Sequence, residues 1–361
     1  MRALFPLLSL LFLIGSAALA KDLHEEFAED RLDKARWCSC QLNEQLLDFP
    51  RKDDQSGDHL ARITVDRTVL GKKACDTSCA APELEPMLLS EGDRLGPSFI
   101  IEAPAAMMVE GGVVKMKNPY CPVEDPKDEE CIQRQELRVT KPYQQPFRQA
   151  VEYTIRFRMM PETGGNKRDP IRWVTAQWKQ EPAKQVFNSD IHKDESLKAV
   201  AAGEKWQASP FLAQRFDGGV FHLTVQAGDC RCIVASADGK KYDWKNEEAP
   251  PDCRFTFPLS LEDRECKSSL ILEFTGEKPR LESPTGFWTE MKYRIKGGQG
   301  SQGGRIEVWQ DGKPIVKVTG PIGYGDVTDD PPQQKFKFGH YRDVMNTTDM
   351  IDIDRVDVVA K

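Results

Sequence analysis

Three features are scarce in this sequence, and each scarcity excludes a class of protein. Histidine occurs five times in 361 residues, and none accompanies the cysteine clusters, which disfavours a zinc site. Positive charge is not in excess, because 50 Lys and Arg stand against 57 Asp and Glu, so non-specific binding to nucleic acid is not expected. Long apolar runs are limited to Ala3–Ile14, so a multi-span membrane protein is not expected either.

The one apolar run forms the core of a predicted signal peptide. Arg2 precedes it, and residues 15–20 end in the Ala-x-Ala pattern that signal peptidases cleave. We expect cleavage after Ala20 and a mature protein that is periplasmic or secreted, with no membrane association after cleavage. We also expect it to be a monomer.

The cysteines agree with an oxidising compartment, because their number is even and all ten lie in the mature chain. Pairs only two residues apart are too close for a relaxed internal bridge. The predicted disulfides therefore join Cys38 and Cys40 to Cys75 and Cys79, Cys230 and Cys232 to Cys253 and Cys266, and Cys121 to Cys131.

Alternation of apolar and polar residues dominates the chain from about residue 98 onward, in short runs separated by Gly, Pro, Asn and Asp. Residues 151–158 alternate strictly, and Asp311-Gly312 predicts a tight hairpin. Helical periodicity is limited to residues 21–35 and 194–202. We predict an all-β, two-sheet sandwich over residues 57–361, preceded by a signal peptide over 1–20 and a short helical N-terminal extension over 21–56.

Three segments of this pattern place polar side chains on one face of a strand. In each segment the intervening residues, such as Trp178, face the core. His340 is predicted to face the core with the phenylalanines beside it. The predicted outward residues are Arg134, Glu136 and Arg138, then Gln177 and Lys179, then Lys335, Lys337 and Tyr341.

If these faces converge, they form a cationic groove that suits a polymer of uronic acid. Removal of the C5 proton of a uronate is difficult because the adjacent carboxylate resists further negative charge. Arginine and amide donors held against that carboxylate would stabilise the developing charge. A base would take the proton, and an acid such as tyrosine would protonate the leaving oxygen.

The same segments resemble known motifs. Residues 134–138 resemble the Arg-x-Glu-Leu-Arg strand of jelly-roll alginate lyases, and residues 336–341 are similar to their Phe-Lys-Ala-Gly-x-Tyr strand. Residues 177–179 stand where that family has Gln-(Ile/Val)-His. Residues 286–312 resemble the heparin-lyase and glucuronan-lyase group, in which a Trp-led strand and a Val-Trp-x-(Asn/Asp)-Gly hairpin precede the Gly-x-Tyr strand.

The resemblance implies a concanavalin-like β-jelly-roll with a curved groove, and an exported lyase that cleaves an acidic polysaccharide by β-elimination. It implies Arg134 or Arg138, together with Gln177, as carboxylate neutralisers. Tyr341 would be the acid, and it could also be the base.

The other implied roles concern binding and the base. Lys337 would bind substrate, as would Lys335 and Arg294. Lys179 departs from the pattern, because the family usually has its catalytic histidine there. Lysine among other cations could act as the base, and His222, on the polar side of its strand, is the alternative.

Two other functions remain open at this stage. Loss of the usual histidine would suit a carbohydrate-binding protein without activity. Asp352 and Asp354 could serve a glycoside hydrolase or bind structural calcium, although the outward face of a closing strand explains them better. No cofactor is required by the sequence.

Overall fold

The computed structural model describes most of the chain outside its N-terminus and several connecting segments. Within it, the described residues form twenty β-strands, β1 to β20 in chain order. Two short 3-10 turns lie at Glu44–Leu46 and Lys141–Tyr143. The described residues are 20–41, 44–52, 59–66, 69, 107–110, 113–116, 132–160, 173–181, 210–216, 219–228, 230–237, 253–255, 269–276, 279–299, 303–324, 331–345 and 347–361.

Sheet 1 has nine antiparallel strands in the order β15-β18-β17-β16-β9-β20-β4-β3, with β1 also paired to β20. Its strands are β1 (Leu23–Glu25), β3 (Leu47–Asp48), β4 (Ala61–Val65), β9 (Val151–Met159), β15 (Ile271–Glu273), β16 (Thr289–Lys296), β17 (Gly304–Gln310), β18 (Lys313–Gly320) and β20 (Asp349–Ala360).

Sheet 2 also has nine antiparallel strands, in the order β14-β13-β12-β11-β10-β19-β7-β2, with β8 paired to β19. Its strands are β2 (Trp37–Gln41), β7 (Ile132–Val139), β8 (Gln145–Pro146), β10 (Trp173–Glu181), β11 (Leu212–Arg215), β12 (His222–Ala227), β13 (Cys230–Ser236), β14 (Cys253–Phe255) and β19 (Gln333–Asp343). A separate hairpin joins β5 (Met107–Glu110) to β6 (Val113–Met116). The predicted jelly-roll sandwich is confirmed.

The core between the two sheets is aromatic. Trp178 of β10 lies 4.7 Å from the ring of Tyr293 and 5.0 Å from that of Phe336, measured between ring centroids. The Tyr293 hydroxyl donates to Gln214 Oε1 at 2.7 Å and so joins sheet 1 to sheet 2. Burial raises the pKa of Tyr293 well above its ordinary value, so this hydroxyl stays a neutral donor. The strands of sheet 2 therefore rest on a packed and hydrogen-bonded layer.

The predicted helix over residues 21–35 is wrong. Residues 23–25 instead form β1, whose Leu23 lies opposite Val358 of β20. Leu23 and Glu25 are both buried, and the Glu25 carboxylate accepts a hydrogen bond from Trp37 Nε1 at 3.1 Å. The pairing of β1 with β20 buries Leu23 and Glu25 in contact with partners. This pairing overrides the weak helical pattern of residues 21–35.

Other predictions have different outcomes. The hairpin at Asp311-Gly312 is confirmed, since it joins β17 to β18 with φ values of 50° and 75°. The predicted helix at 194–202 lies outside the described residues, as does the signal peptide up to residue 19. The boundary at residues 56 and 57 stays a prediction.

The predicted cysteine pairing also stays a prediction. Five of the ten cysteines lie outside the described residues, namely Cys75, Cys79, Cys121, Cys131 and Cys266. The backbone register does place Cys232 of β13 directly opposite Cys253 of β14. That register is compatible with the predicted bridge between these two strands.

Gly339 allows the three central strands of sheet 2 to meet. It lies opposite Glu136 in β7, and together with His340 it faces the single residue Thr175 in β10, which makes a bulge. Its φ of 127° is a conformation that residues with a side chain rarely adopt. A Cβ at this position would lie 2.9 Å from Glu136 Cα and closer still to the carbonyl oxygen of Gln135.

Gly339→Ala is expected to lower the free energy of unfolding by more than about 2 kcal/mol, because it combines a strained φ with a backbone clash. The matched control is Gly312→Ala, which also has a positive φ but meets no atom within 4 Å. We expect the control to lose about 1 kcal/mol. Urea denaturation measures both, and equal losses would contradict the role assigned to the close approach.

Candidate active site

Cross-strand register brings the three predicted segments together on the outer face of sheet 2. Lys337 of β19 lies opposite Arg138 of β7 on one side and opposite Gln177 of β10 on the other. A second row contains Arg134 of β7 and Tyr341 of β19, which lie opposite each other. Side chains in such rows are close neighbours on one face. We name these five residues, with Glu136 between them, the cation cluster.

Glu136 connects the strands of the cation cluster through its carboxylate. Arg134 Nε donates to Glu136 Oε2 at 2.7 Å. Gln177 Nε2 donates to Glu136 Oε1, which joins β10 to β7. The Arg134 guanidinium also lies over the Tyr341 ring, with its Cζ 5.7 Å from the ring centroid. These contacts fix the amide of Gln177 and the guanidinium of Arg134 relative to Tyr341.

Lys337 is a buried cation whose surroundings disfavour its charge. Its side chain is buried, with 4% of the residue exposed. Burial lowers the pKa of Lys337 well below its ordinary value, and the charges of Arg134, Lys179 and Lys335 lower it further, while Glu136 opposes them. The environment therefore makes the Lys337 ammonium easier to deprotonate than that of an exposed lysine.

Two further lysines lie at one end of the cation cluster. Lys179 of β10 stands opposite Lys335 of β19, one row away from Gln177 and Lys337. Lys335 Nζ forms an ion pair with Glu181. Lys179 is half-buried. Both lysines therefore add positive charge beside the cluster, as the alternation predicted.

His222 lies on the same outer face but farther along the sheet. The Tyr341 row continues through Val174 of β10 and Arg215 of β11 to His222 of β12. Three strand spacings therefore separate Tyr341 from His222, which is about 14 Å along a flat sheet. The His222 Nδ1 donates to the Val220 carbonyl oxygen at 2.8 Å.

Sequence reasoning missed Arg215, a cation of this face. Arg215 ends the four-residue strand β11 and lies opposite both Val174 and His222. The strand is too short for alternation to reveal it. The sequence signal for Arg215 was limited to its spacing of two from Ala213, which places both residues on the same face of a strand.

His340 faces the core, as predicted. It is fully buried, accepts from Trp173 Nε1 at 3.1 Å and donates from Nε2 to the Ile63 carbonyl oxygen at 3.0 Å. Burial lowers the pKa of His340 to about 3, and the charge of Arg342 contributes to the shift. This imidazole is neutral and belongs to the packing beneath the site.

The predicted substrate contact of Arg294 needs correction. Arg294 lies on β16 of sheet 1, where its Nη2 donates to Glu152 Oε2 at 3.1 Å. Its guanidinium lies 5.6 Å from the centroid of the Trp309 ring. The alternation correctly predicted that Arg294 faces outward. However, Arg294 lies on the outer face of sheet 1, away from the cation cluster on sheet 2.

The C-terminal carboxylates also lie in sheet 1. Asp352 is buried and accepts hydrogen bonds from Arg62 Nε at 2.7 Å and Arg158 Nε at 3.0 Å. Asp354 pairs with Lys52 at 2.7 Å. Each carboxylate is thus neutralised by neighbouring basic side chains, which disfavours a hydrolase pair.

Within the described ranges, no group of three or more His, Cys, Asp or Glu side chains is arranged to hold a metal ion. No helix among the same residues has the length and apolarity needed to cross a membrane. Calcium binding is not tested by the structure.

Comparison with solved structures gives distant likenesses. The cellulose-induced protein Cip1 is 10% identical with a TM-score of 0.40, and the match covers 94% of this chain and 97% of Cip1. Alginate lyase A1-II′, a member of polysaccharide lyase family 7, is 13% identical with a TM-score of 0.32, over 71% of this chain and 83% of its own. Alginate lyase AlyC3 is 14% identical with a TM-score of 0.32, over 63% and 71%.

Comparison by sequence is more decisive. Curated protein sequences give no match. The family model described as polysaccharide lyase, in contrast, matches residues 110–357, which is well over half of the chain and includes the whole cation cluster. The chain therefore belongs to the polysaccharide lyase family and is a polysaccharide lyase.

Proposed function

We propose that this lyase is exported and cleaves a uronic-acid-containing polysaccharide by β-elimination on the outer face of sheet 2. The observation that carries the proposal is the row of Arg138, Lys337 and Gln177, which is separated from the row of Arg134 and Tyr341 only by Glu136 and Gly339. Cations and an amide donor thus share one face of the sheet with a phenol.

The carboxylate of the bound uronate would lie against Arg138 and Gln177. Arg138 and Gln177 are both buried, at 4% exposure each, so a carboxylate bound there interacts with them away from bulk water. Gln177 Nε2 uses one of its two hydrogens on Glu136, which leaves the second to donate. These preorganised donors stabilise the negative charge that develops when the C5 proton leaves.

Tyr341 would act as the acid. It is half-buried and belongs to the same face of β19 as Lys337. Its hydroxyl would protonate O4 as the glycosidic bond breaks. The Arg134 guanidinium over its ring compensates the negative charge that remains on the phenolate.

The remaining cations would bind the acidic polymer on either side of the cleaved bond. Lys335 and Lys179 lie one row from the carboxylate position, and Arg215 and His222 lie farther along the Tyr341 row. Export rests on the signal peptide pattern of residues 1–20 and on ten cysteines in the mature chain.

Incubation with alginate, glucuronan, pectate and heparin-type polymers tests the reaction. We expect ultraviolet absorbance from the new C4–C5 double bond on at least one polyuronate, because β-elimination creates that bond. Folded protein that gives no absorbance with any of the four polymers would refute the proposal. Reducing sugar released without the double bond would indicate hydrolysis instead.

Tyr341→Phe is expected to lower kcat by a factor of about 10² to 10⁴, since it removes a proton donor while keeping the ring. Binding of the polymer should change little, because the cations and Gln177 remain. Steady-state kinetics and a polymer-binding assay separate the two effects. A variant with wild-type kcat would exclude Tyr341 as the acid.

Arg138→Ala is expected to lower kcat/KM by a factor of about 10² to 10³, because it removes a donor to the uronate carboxylate. The matched control is Arg294→Ala, which truncates an outward arginine on the opposite sheet. The control should retain wild-type kinetics. Equal losses in both variants, with equal melting temperatures, would show that the site does not lie on sheet 2.

A further inference from the structure

We propose that Lys337 is the base that removes the C5 proton, an assignment that rests on the proposed β-elimination. Sequence reasoning gave Lys337 a binding role and considered Lys179 and His222 as bases in place of the usual histidine. The structure provides reasons of position, charge and solvent exposure for exchanging these roles.

The position of Lys337 is central to the cation cluster. It stands directly between Arg138 and Gln177, the two groups proposed to hold the uronate carboxylate. Because that carboxylate is attached to C5, a group between its ligands is adjacent to the proton that must leave. Tyr341 is four residues farther along the same face of the same strand, about 13 Å away in backbone length. Gly339 is the position between them on that face, so no side chain of β19 separates the acid from the base.

The charges around Lys337 oppose an ammonium. From β7 it is faced by Arg134, Glu136 and Arg138, and Glu136 alone of these is an anion. From β10 and its own strand it is faced by Lys179 and Lys335. Together with burial, these cations lower the pKa of Lys337 well below its ordinary value. A neutral lysine carries the lone pair that a base needs.

The two other candidates are less well placed. Lys179 is half-buried and lies opposite Lys335, one row away from the carboxylate ligands. His222 lies on β12, separated from Gln177 on β10 by the whole of β11, which is a distance of about 10 Å between strands.

The Lys337 Nζ lone pair forms a bond to the C5 proton, and the electrons of the C5–H bond form the C4–C5 double bond. The C4–O4 bond breaks, and the Tyr341 hydroxyl gives its proton to O4. One proton then passes from the Lys337 ammonium to the Tyr341 phenolate through solvent, which restores both groups.

The variant Lys337→Arg distinguishes between two roles of Lys337, that of a base and that of a cation that only binds substrate. Arginine keeps the positive charge but stays protonated, so it can bind a carboxylate and cannot accept the proton. We expect kcat to fall by about 10³ while the Kd for an oligouronate changes by less than about tenfold. Lys337→Met is the folding control, since it keeps the length of the side chain without an amine. If Lys337→Arg retains more than about a tenth of the wild-type kcat, Lys337 only binds, and the assignment is wrong.

The pH dependence provides a second, independent readout. The wild-type rate should rise with pH as Lys337 loses its proton. Glu136 raises the pKa of Lys337, so Glu136→Gln should move this rising limb to lower pH. The matched control is Glu152→Gln, which removes a carboxylate that pairs with Arg294 on the opposite sheet, and we expect it to leave the limb in place. A limb that stays unmoved in Glu136→Gln would count against Lys337 as the base.

Failure of this inference can be told from failure of the proposed function. A wild-type protein that produces no unsaturated sugar from any polyuronate overturns both. An active wild type whose Lys337→Arg variant is also active overturns only the assignment of the base. In Lys337→Ala, activity restored by added ethylamine in proportion to the free amine would support the assignment.

Discussion

The burial of one carboxylate makes the outer face of sheet 2 possible. Several cations cannot be buried side by side unless an anion or a loss of charge compensates them. Glu136 supplies the anion for Arg134 and also receives the amide of Gln177. Within the described part of the chain, the cation cluster contains three basic side chains and one carboxylate, a composition that suits a second carboxylate brought by a ligand.

The opposite face of β19 explains how these groups are held in place. Phe336 and Phe338 alternate with Lys335 and Lys337 along the strand, and both phenylalanines are buried between the sheets. Trp178, next to Gln177, packs against Phe336 and against Tyr293 of the other sheet. Each proposed functional residue is therefore the immediate neighbour of a residue locked in the core.

The parts of this site that could be predicted are those that depend on local alternation. A strand sends successive side chains to opposite faces, so the facing directions of Gln177, Lys337 and Tyr341 follow from the sequence alone. The family resemblance supplied the expectation that these strands meet. Neither source revealed that Glu136 would join them.

The parts that could not be predicted depend on which sheet a strand enters and on its register. Arg294 alternates correctly yet belongs to sheet 1, because alternation carries no information about the partner strand. The bulge at Gly339 and His340 shifts the register of β19 relative to β10. As a result, Tyr341 lies opposite Val174. Leu23 and Glu25 belong to a sheet because their strand pairs with residues 356–358 of β20. Such a distant pairing cannot be predicted from a local sequence pattern.

The imidazole of His340 links the stability of β19 to the acidity of the surrounding medium. The pKa is about 3 in the folded chain and 6.5 when unperturbed, so between these values the unfolded chain binds a proton that the folded chain does not. The contribution of this residue to stability is complete above about pH 6.5 and falls by about 1.4 kcal/mol for each pH unit below it. Acidification thus acts on the fold through a side chain that lies beneath the reacting groups and never meets the polymer.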